Sequence, residues 1–165
     1  MFRAIQSSCA LLRASTDLSM VDVVNGPPLE WDPLALPIAQ YGDGRRFVFI
    51  GADPDSDDGN SASANQEWAG TGLPRDKDES FTISCVAILL DGSNVIEQAQ
   101  DDIEEVLIAV ETQLLAHVDL SLDLTPGPVL YAGFAGVNQL RQFYTDRGLT
   151  ISAQFDIACR AYLTN

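Results

Sequence analysis

Alternate aspartates at Asp53, Asp55 and Asp57, followed by Asp58, come closest in this chain to a recognisable chemical spacing. They match the first oxygen ligands of an EF-hand calcium loop. The match then fails, because that loop needs Gly at its sixth position and Glu at its twelfth, where the chain has Asp58 and Ala64. The cluster is expected to be a solvated acidic loop tip. Nucleophilic catalysis needs a base beside the nucleophile, and the only histidine, His117, has no serine or cysteine pattern near it. His117 is expected instead at a helix C-terminus, where the dipole favours a donor. Glu97, Asp101, Asp102, Glu104, Glu105 and Glu111 could serve acid and base roles in principle, but at helical spacing on one exposed face they act as a solubilising stripe. Gly133 and Gly136 lack phosphate-loop spacing. No enzyme, cofactor or metal is expected from these residues.

The thiols point the same way. Cys9, Cys85 and Cys159 cannot all pair, and Cys85 and Cys159 fall on apolar faces of predicted strands, where cysteine behaves as a small hydrophobe. A reducing compartment with buried thiols is the reading. The chain has 165 residues, enough for one domain that needs no disulfide or metal to be stable. Its formal charge of −15, with nine Lys and Arg against 24 Asp and Glu, disfavours binding to nucleic-acid phosphate or anionic lipid. The same charge suits a channel through which DNA slides without sticking. Gln6, Ser7 and Ser8 interrupt the apolar start, and no later window is apolar enough to span a bilayer, so neither a signal peptide nor a membrane span is expected.

The elements that position these residues follow from periodicity. Phe2, Ile5, Cys9 and Leu12 predict a short amphipathic helix over Phe2–Ala14. Met20–Val24 predicts a strand closed by Asn25, Gly26, Pro27 and Pro28. An irregular connection anchored by Trp31 and Tyr41 leads to a second strand, Arg45–Gly51, with Phe47 and Phe49 on one face. Asp53–Pro74 is the longest polar tract and reads as a long acidic loop whose one bulky aromatic, Trp68, docks on a sheet or a neighbour. Glu79–Leu90 predicts a central strand with Phe81, Ile83, Cys85, Ala87 and Leu89 on one face. Val86, Ile88 and Leu90 on the other face mean that it must be covered twice, by the next helix and by a second layer or a subunit interface.

Val95–Val118 predicts the long helix, capped by Ser93 or Asn94, with apolar positions at Ile96, Ala99, Ile103, Val106, Leu107, Val110, Leu114 and Leu115. Val129–Gly136 and Gln139–Tyr144 read as strand broken by a bulge or bend. From Leu149 to Leu163 the chain alternates strictly: Ile151, Ala153, Phe155, Ile157, Cys159, Ala161 and Leu163 face one way, and Ser152, Gln154, Asp156, Arg160 and Tyr162 the other. A strand this long suggests a sheet that continues toward a neighbouring subunit. Among the aromatics near loops and bends, Trp31, Tyr41, Trp68, Phe134 and Tyr144 are candidate interface anchors. The expected fold is a single α+β domain over residues 1–165: a mainly antiparallel sheet with one long helix and a short N-terminal helix packed on it.

Several segments together resemble the tail terminator (tail completion) proteins of long-tailed, non-contractile bacteriophages, particularly those of actinobacteria. They are the aspartate-rich tract Gly51–Gly59, then Asn65, Gln66, Glu67, Trp68, Ala69 and Gly70, the strand FTISCVA at Phe81–Ala87, the helix positions Ala109, Val110, Glu111 and Leu114, and the closing FDIACRAYL at Phe155–Leu163. The resemblance spans residues 20–163 and rests on short, mostly structural motifs. It implies a structural virion protein, not an enzyme, whose hexameric ring caps the tail tube, ends its polymerisation and joins it to the neck or stopper protein. The implied place is the tail–neck junction of the virion, after assembly in the host cytoplasm. DNA would pass through the lumen without specific binding, and no membrane or cofactor is involved. On physical grounds the ring contacts are expected at Asp53, Asp55, Asp57, Asp58 and Trp68 and at Val86, Ile88 and Leu90, because a heterologous ring needs two different patches per subunit. Two other readings remain: a head–tail connector or stopper protein of the neck, and an acidic, calcium-binding module.

Overall fold

The computed structural model describes residues 2–26, 46–52, 62–68, 76–91, 95–121, 129–145 and 148–164. In chain order they form α1 (Phe2–Ala14), β1 (Asp22–Asn25), β2 (Arg46–Ile50), β3 (Ala62–Trp68), β4 (Asp76–Asp91), α2 (Ile96–Ala116), β5 (Tyr131–Thr145) and β6 (Gly148–Thr164). The result is a mixed α+β fold, a mostly antiparallel six-stranded sheet with two helices. The sheet runs β1-β2-β4-β6-β5, with β3 paired to β4 beside that path.

The alternating C-terminal run becomes β6, and its burial follows the alternation. Ile151, Ala153, Phe155, Ile157, Cys159 and Ala161 are buried, whereas Ser152, Gln154, Asp156 and Ala158 are half-buried and Arg160 is exposed. Its length has an internal explanation. β6 pairs antiparallel with β4 from Asp76↔Thr164 to Asp91↔Leu149, and on its other side with β5 from Tyr131↔Arg160 to Thr145↔Gly148. Three strands of 15 to 17 residues satisfy one another, so the length of β6 does not require a neighbouring subunit.

The other edge of β4 is shared. β2 pairs with its second half, from Arg46↔Leu89 to Ile50↔Cys85, and β3 with its first half, from Ala62↔Ile83 to Trp68↔Lys77. β3 lies within the tract read from sequence as one long loop. Its sequence ASANQEW has no apolar alternation, and it is held by backbone pairing along β4. β1 pairs with β2 in parallel, the one exception to the antiparallel pattern.

Both helices cover one face. Ala4, Ile5, Cys9, Leu11 and Leu12 of α1 and Ala99, Ile103, Val106, Val110 and Leu114 of α2 pack with Val48, Ile50, Ile83, Cys85, Ala87, Ile151, Phe155 and Ile157 in one cluster. α1 ends as predicted, and Arg13 Nε donates to the Val23 carbonyl at 2.9 Å, tying its last turn to β1. α2 starts without a capping side chain: Val95 occupies the N-cap, while Ser93 and Asn94 lie outside the described residues. A missing cap costs about 1 kcal/mol. Burying Ile103, Val106, Val110 and Leu114 contributes roughly 1.5–3 kcal/mol each, so packing holds this helix.

On the far face Phe47, Phe49, Ala52, Val86 and Ile88 form a second buried cluster, joined by Val24 and Leu90. The Phe47 and Phe49 rings stack at 6.2 Å. β5 departs from regular pairing twice, between Phe134 and Val137 and between Val137 and Gln139, and the expected bend lies there at Gly136, whose φ of 107° only glycine adopts without strain.

Candidate interaction surface

Among the described residues, those with chemical potential are dispersed or buried. His117 is the C-cap of α2, and its backbone N–H donates to Gln113 O. The next turn buries Leu120 at φ 58°, with its N–H on His117 O at 2.8 Å. Burial pushes the Cys9 thiol up to about 11 and the Cys159 thiol up to about 12, and raises Cys85 further. All three are therefore protonated, poor nucleophiles near neutral pH. Asp53, Asp55, Asp57 and Asp58 lie outside the described residues, as do Trp31 and Tyr41. Trp68 is described only by its backbone, opposite Lys77. Among the described residues no group of three or more His, Cys, Asp or Glu side chains could hold a metal, and no helix is long and apolar enough to cross a membrane.

The expected contact at Val86, Ile88 and Leu90 is altered by burial. Val86 and Ile88 are 0% and 4% exposed within the isolated chain, so they cannot meet a neighbour directly, and only Leu90 retains partial exposure. Phe134 is half-buried against the core, stacked on Phe155 at 5.3 Å. Tyr144 fits the interface expectation better, being 61% exposed.

The surface that sequence reasoning missed lies around α2 and β5. Of eleven exposed large apolar side chains among the described residues, eight fall between Ile108 and Tyr144. On α2, Ile108 and Leu115 are 54% and 64% exposed. Leu115, assigned from sequence to the apolar stripe, points away from the core, which takes Ala99, Ile103, Val106, Val110 and Leu114, while Ile96 keeps the core direction but is 40% exposed in the first turn. At 100° per residue Leu115 lies well off the direction set by Val110 and Leu114, and that rotation is the signal the simple apolar count overlooked.

Glu97, Asp101, Glu104 and Glu111 are exposed on the same outer side of α2, and α2 contains no Lys or Arg. Along one side of this stripe Arg46 of β2 meets Asp102 at 2.8 Å and Glu105 at 3.9 Å. On β5, Leu140 pairs with buried Ala153 and Tyr144 with buried Leu149, so both belong to the helix-bearing side of the sheet but lie at its open edge. Such a concentration of bare apolar groups among carboxylates can bind a protein surface. Compared with protein-family models and with curated proteins, the chain matches none.

Proposed function

We propose that this chain is a tail terminator, a structural virion subunit whose ring caps the tail tube of a long-tailed, non-contractile bacteriophage and joins it to the neck. The observation that carries the reading is the exposed apolar and acidic surface spread over α2 and β5, beside a core that is otherwise well closed. A chain that buries its thiols and leaves Ile108, Leu115, Leu140 and Tyr144 bare spends its surface on docking. The sequence resemblance supplies the setting and implies a mixed α+β subunit, to which residue periodicity adds one long helix and a short N-terminal helix packed on a mainly antiparallel sheet. The partners are further copies of the chain in a hexamer, tail-tube protein and the neck or stopper protein. The net charge of −15 keeps DNA mobile in the lumen through repulsion.

The test is native mass spectrometry and negative-stain imaging of the purified protein, alone and with tail-tube protein, beside a phage lacking the gene. Sixfold rings seated on tube ends and overlong tails in the deletion are the expected outcome. Normal tail lengths with empty necks would favour a connector or stopper protein. A monomer that ignores tube ends would overturn the reading.

A further inference from the structure

We infer that the outer stripe of α2 is one half of a head-to-tail contact between copies of this chain, and that the far face of β5 and β6 on the next copy is the other half. The inference rests on the ring reading above and assigns its contact surfaces.

Glu97, Asp101, Glu104, Ile108, Glu111 and Leu115 follow one another at alternating spacings of four and three, and all six are exposed. That spacing makes a continuous seam along a helix. Here the seam points away from the core and sets two large apolar side chains among four carboxylates. No basic residue of α2 offsets them, and Arg46, beside the seam, is engaged with Asp102 and Glu105. A surface that fits the seam must bring apolar area and positive charge together.

The chain carries such a surface on the other side of its sheet. Tyr131 pairs in register with Arg160, and Arg141 with Ser152, which places all three on the face away from α2. Tyr131, Arg141 and Arg160 are exposed. The Tyr131 ring lies against Gly133, where a Cβ would collide with it, so the bare glycine holds the ring along the sheet. Asp156, the carboxylate of this face among the described residues of β5 and β6, accepts a hydrogen bond from Asn138 Nδ2 at 2.7 Å. Arg141 and Arg160 also make contacts within their own chain. A guanidinium has five donors, so an internal contact does not exhaust what it offers a neighbour.

The two patches differ and lie on opposite sides of one sheet. They cannot form an isologous pair; each copy offers one patch to the copy before it and the other to the copy after it, the arrangement that closes a ring or extends a filament. Strand addition along β5 is a poorer route, because its two register shifts interrupt the edge that an incoming strand would follow.

The test uses E104R/E111R to spoil the first patch and R141E/R160E to spoil the second. Each is compared with the wild type by native mass spectrometry, with or without tail-tube protein, under whichever condition the wild type assembles. Each variant alone should stay monomeric with an unchanged melting temperature. An equimolar mixture should assemble again, in even-numbered complexes of alternating variants, because one junction keeps the native charges and the other meets with the charges exchanged. If a charge variant fails to fold, Leu115→Ser and Tyr131→Ser form the second pair. Wild-type-like assembly by either variant, or no complex in the mixture, would overturn the patch assignment and leave the ring reading standing. A wild type that stays monomeric with and without tube protein would remove the ring reading, and this inference with it.

Discussion

Replacing Ser8 by alanine is expected to stabilise the chain by about 1–3 kcal/mol. Ser8 is 0% exposed on the face of α1 that carries Ala4, Ile5 and Leu12, and its Oγ has no hydrogen-bond partner. A buried hydroxyl left unpaired costs roughly 1–3 kcal/mol. A serine inside a helix costs about 0.5 kcal/mol more than alanine. Against these, removing one oxygen leaves a void smaller than a methyl group, worth about 0.4 kcal/mol at the usual cost per unit of cavity volume. The balance favours alanine. For a chain of 165 residues, 1 kcal/mol moves the melting temperature by about 2–4 °C, so a rise of about 2–12 °C is expected. Thermal melts followed by circular dichroism would measure it, and urea unfolding should show a higher midpoint at an unchanged slope. Half-buried Ser7 is the control, and Ser7→Ala should leave the midpoint nearly fixed. A fall in melting temperature for Ser8→Ala would refute the reasoning, since it would mean that the hydroxyl is satisfied in the folded chain.

Val110→Asp should cost about 4 kcal/mol or more and abolish cooperative melting, because it puts an unpaired carboxyl at a fully buried site, whereas Leu115→Asp on the exposed side should shift stability by less than about 0.5 kcal/mol. Gly136→Ala should cost about 1 kcal/mol by urea unfolding; a Cβ there meets nothing within 4 Å, so the penalty comes from its φ of 107° alone. The thiols predict an alkaline weakness. Their folded pKa values are raised, to about 11 for Cys9 and about 12 for Cys159, so their contribution is complete below the unfolded thiol pKa near 9 and is lost as pH rises toward those values. Urea midpoints should therefore fall between pH 9 and 11, and alkylation of the native protein at pH 8 should be slow; rapid labelling of all three cysteines would contradict their burial.

Sequence was most legible where burial has a period. α1 ends where its apolar spacing ends, and β6 follows its alternation residue by residue, because one face of each must be dry. The glycine-rich bend in β5 was legible for a different reason, since few other residues tolerate the backbone at position 136. β3 was hidden because Asn65, Gln66 and Glu67 give no apolar rhythm; its strand character comes from a partner that only the fold supplies. The parallel pairing of β1 with β2 was hidden likewise, as it depends on how the chain returns and not on either strand's composition. The two-sided nature of Val86 and Ile88 was legible, but sequence cannot distinguish a cover within the chain from one supplied by a neighbour, and the fold buries both internally. The α2 and β5 surface escaped notice because Leu115 is counted with the core unless helical rotation is followed turn by turn.

β2 and β3 occupy successive stretches of one edge of β4, with Ile50 held at Cys85 and Ala62 at Ile83. The eleven residues from Gly51 to Ser61 therefore bridge two ends pinned on either side of Ser84, whose carbonyl accepts from Ala52 N–H at 2.8 Å. Chain length at this point is uncoupled from strand register. Doubling it would cost roughly 0.6 kcal/mol of closure entropy, against the full complement of rungs that fixes both ends. Mutational drift can lengthen, shorten or recompose the segment while the sheet stays in frame. The same property makes it the natural port for grafting an affinity tag or a reporter peptide into an otherwise closed subunit.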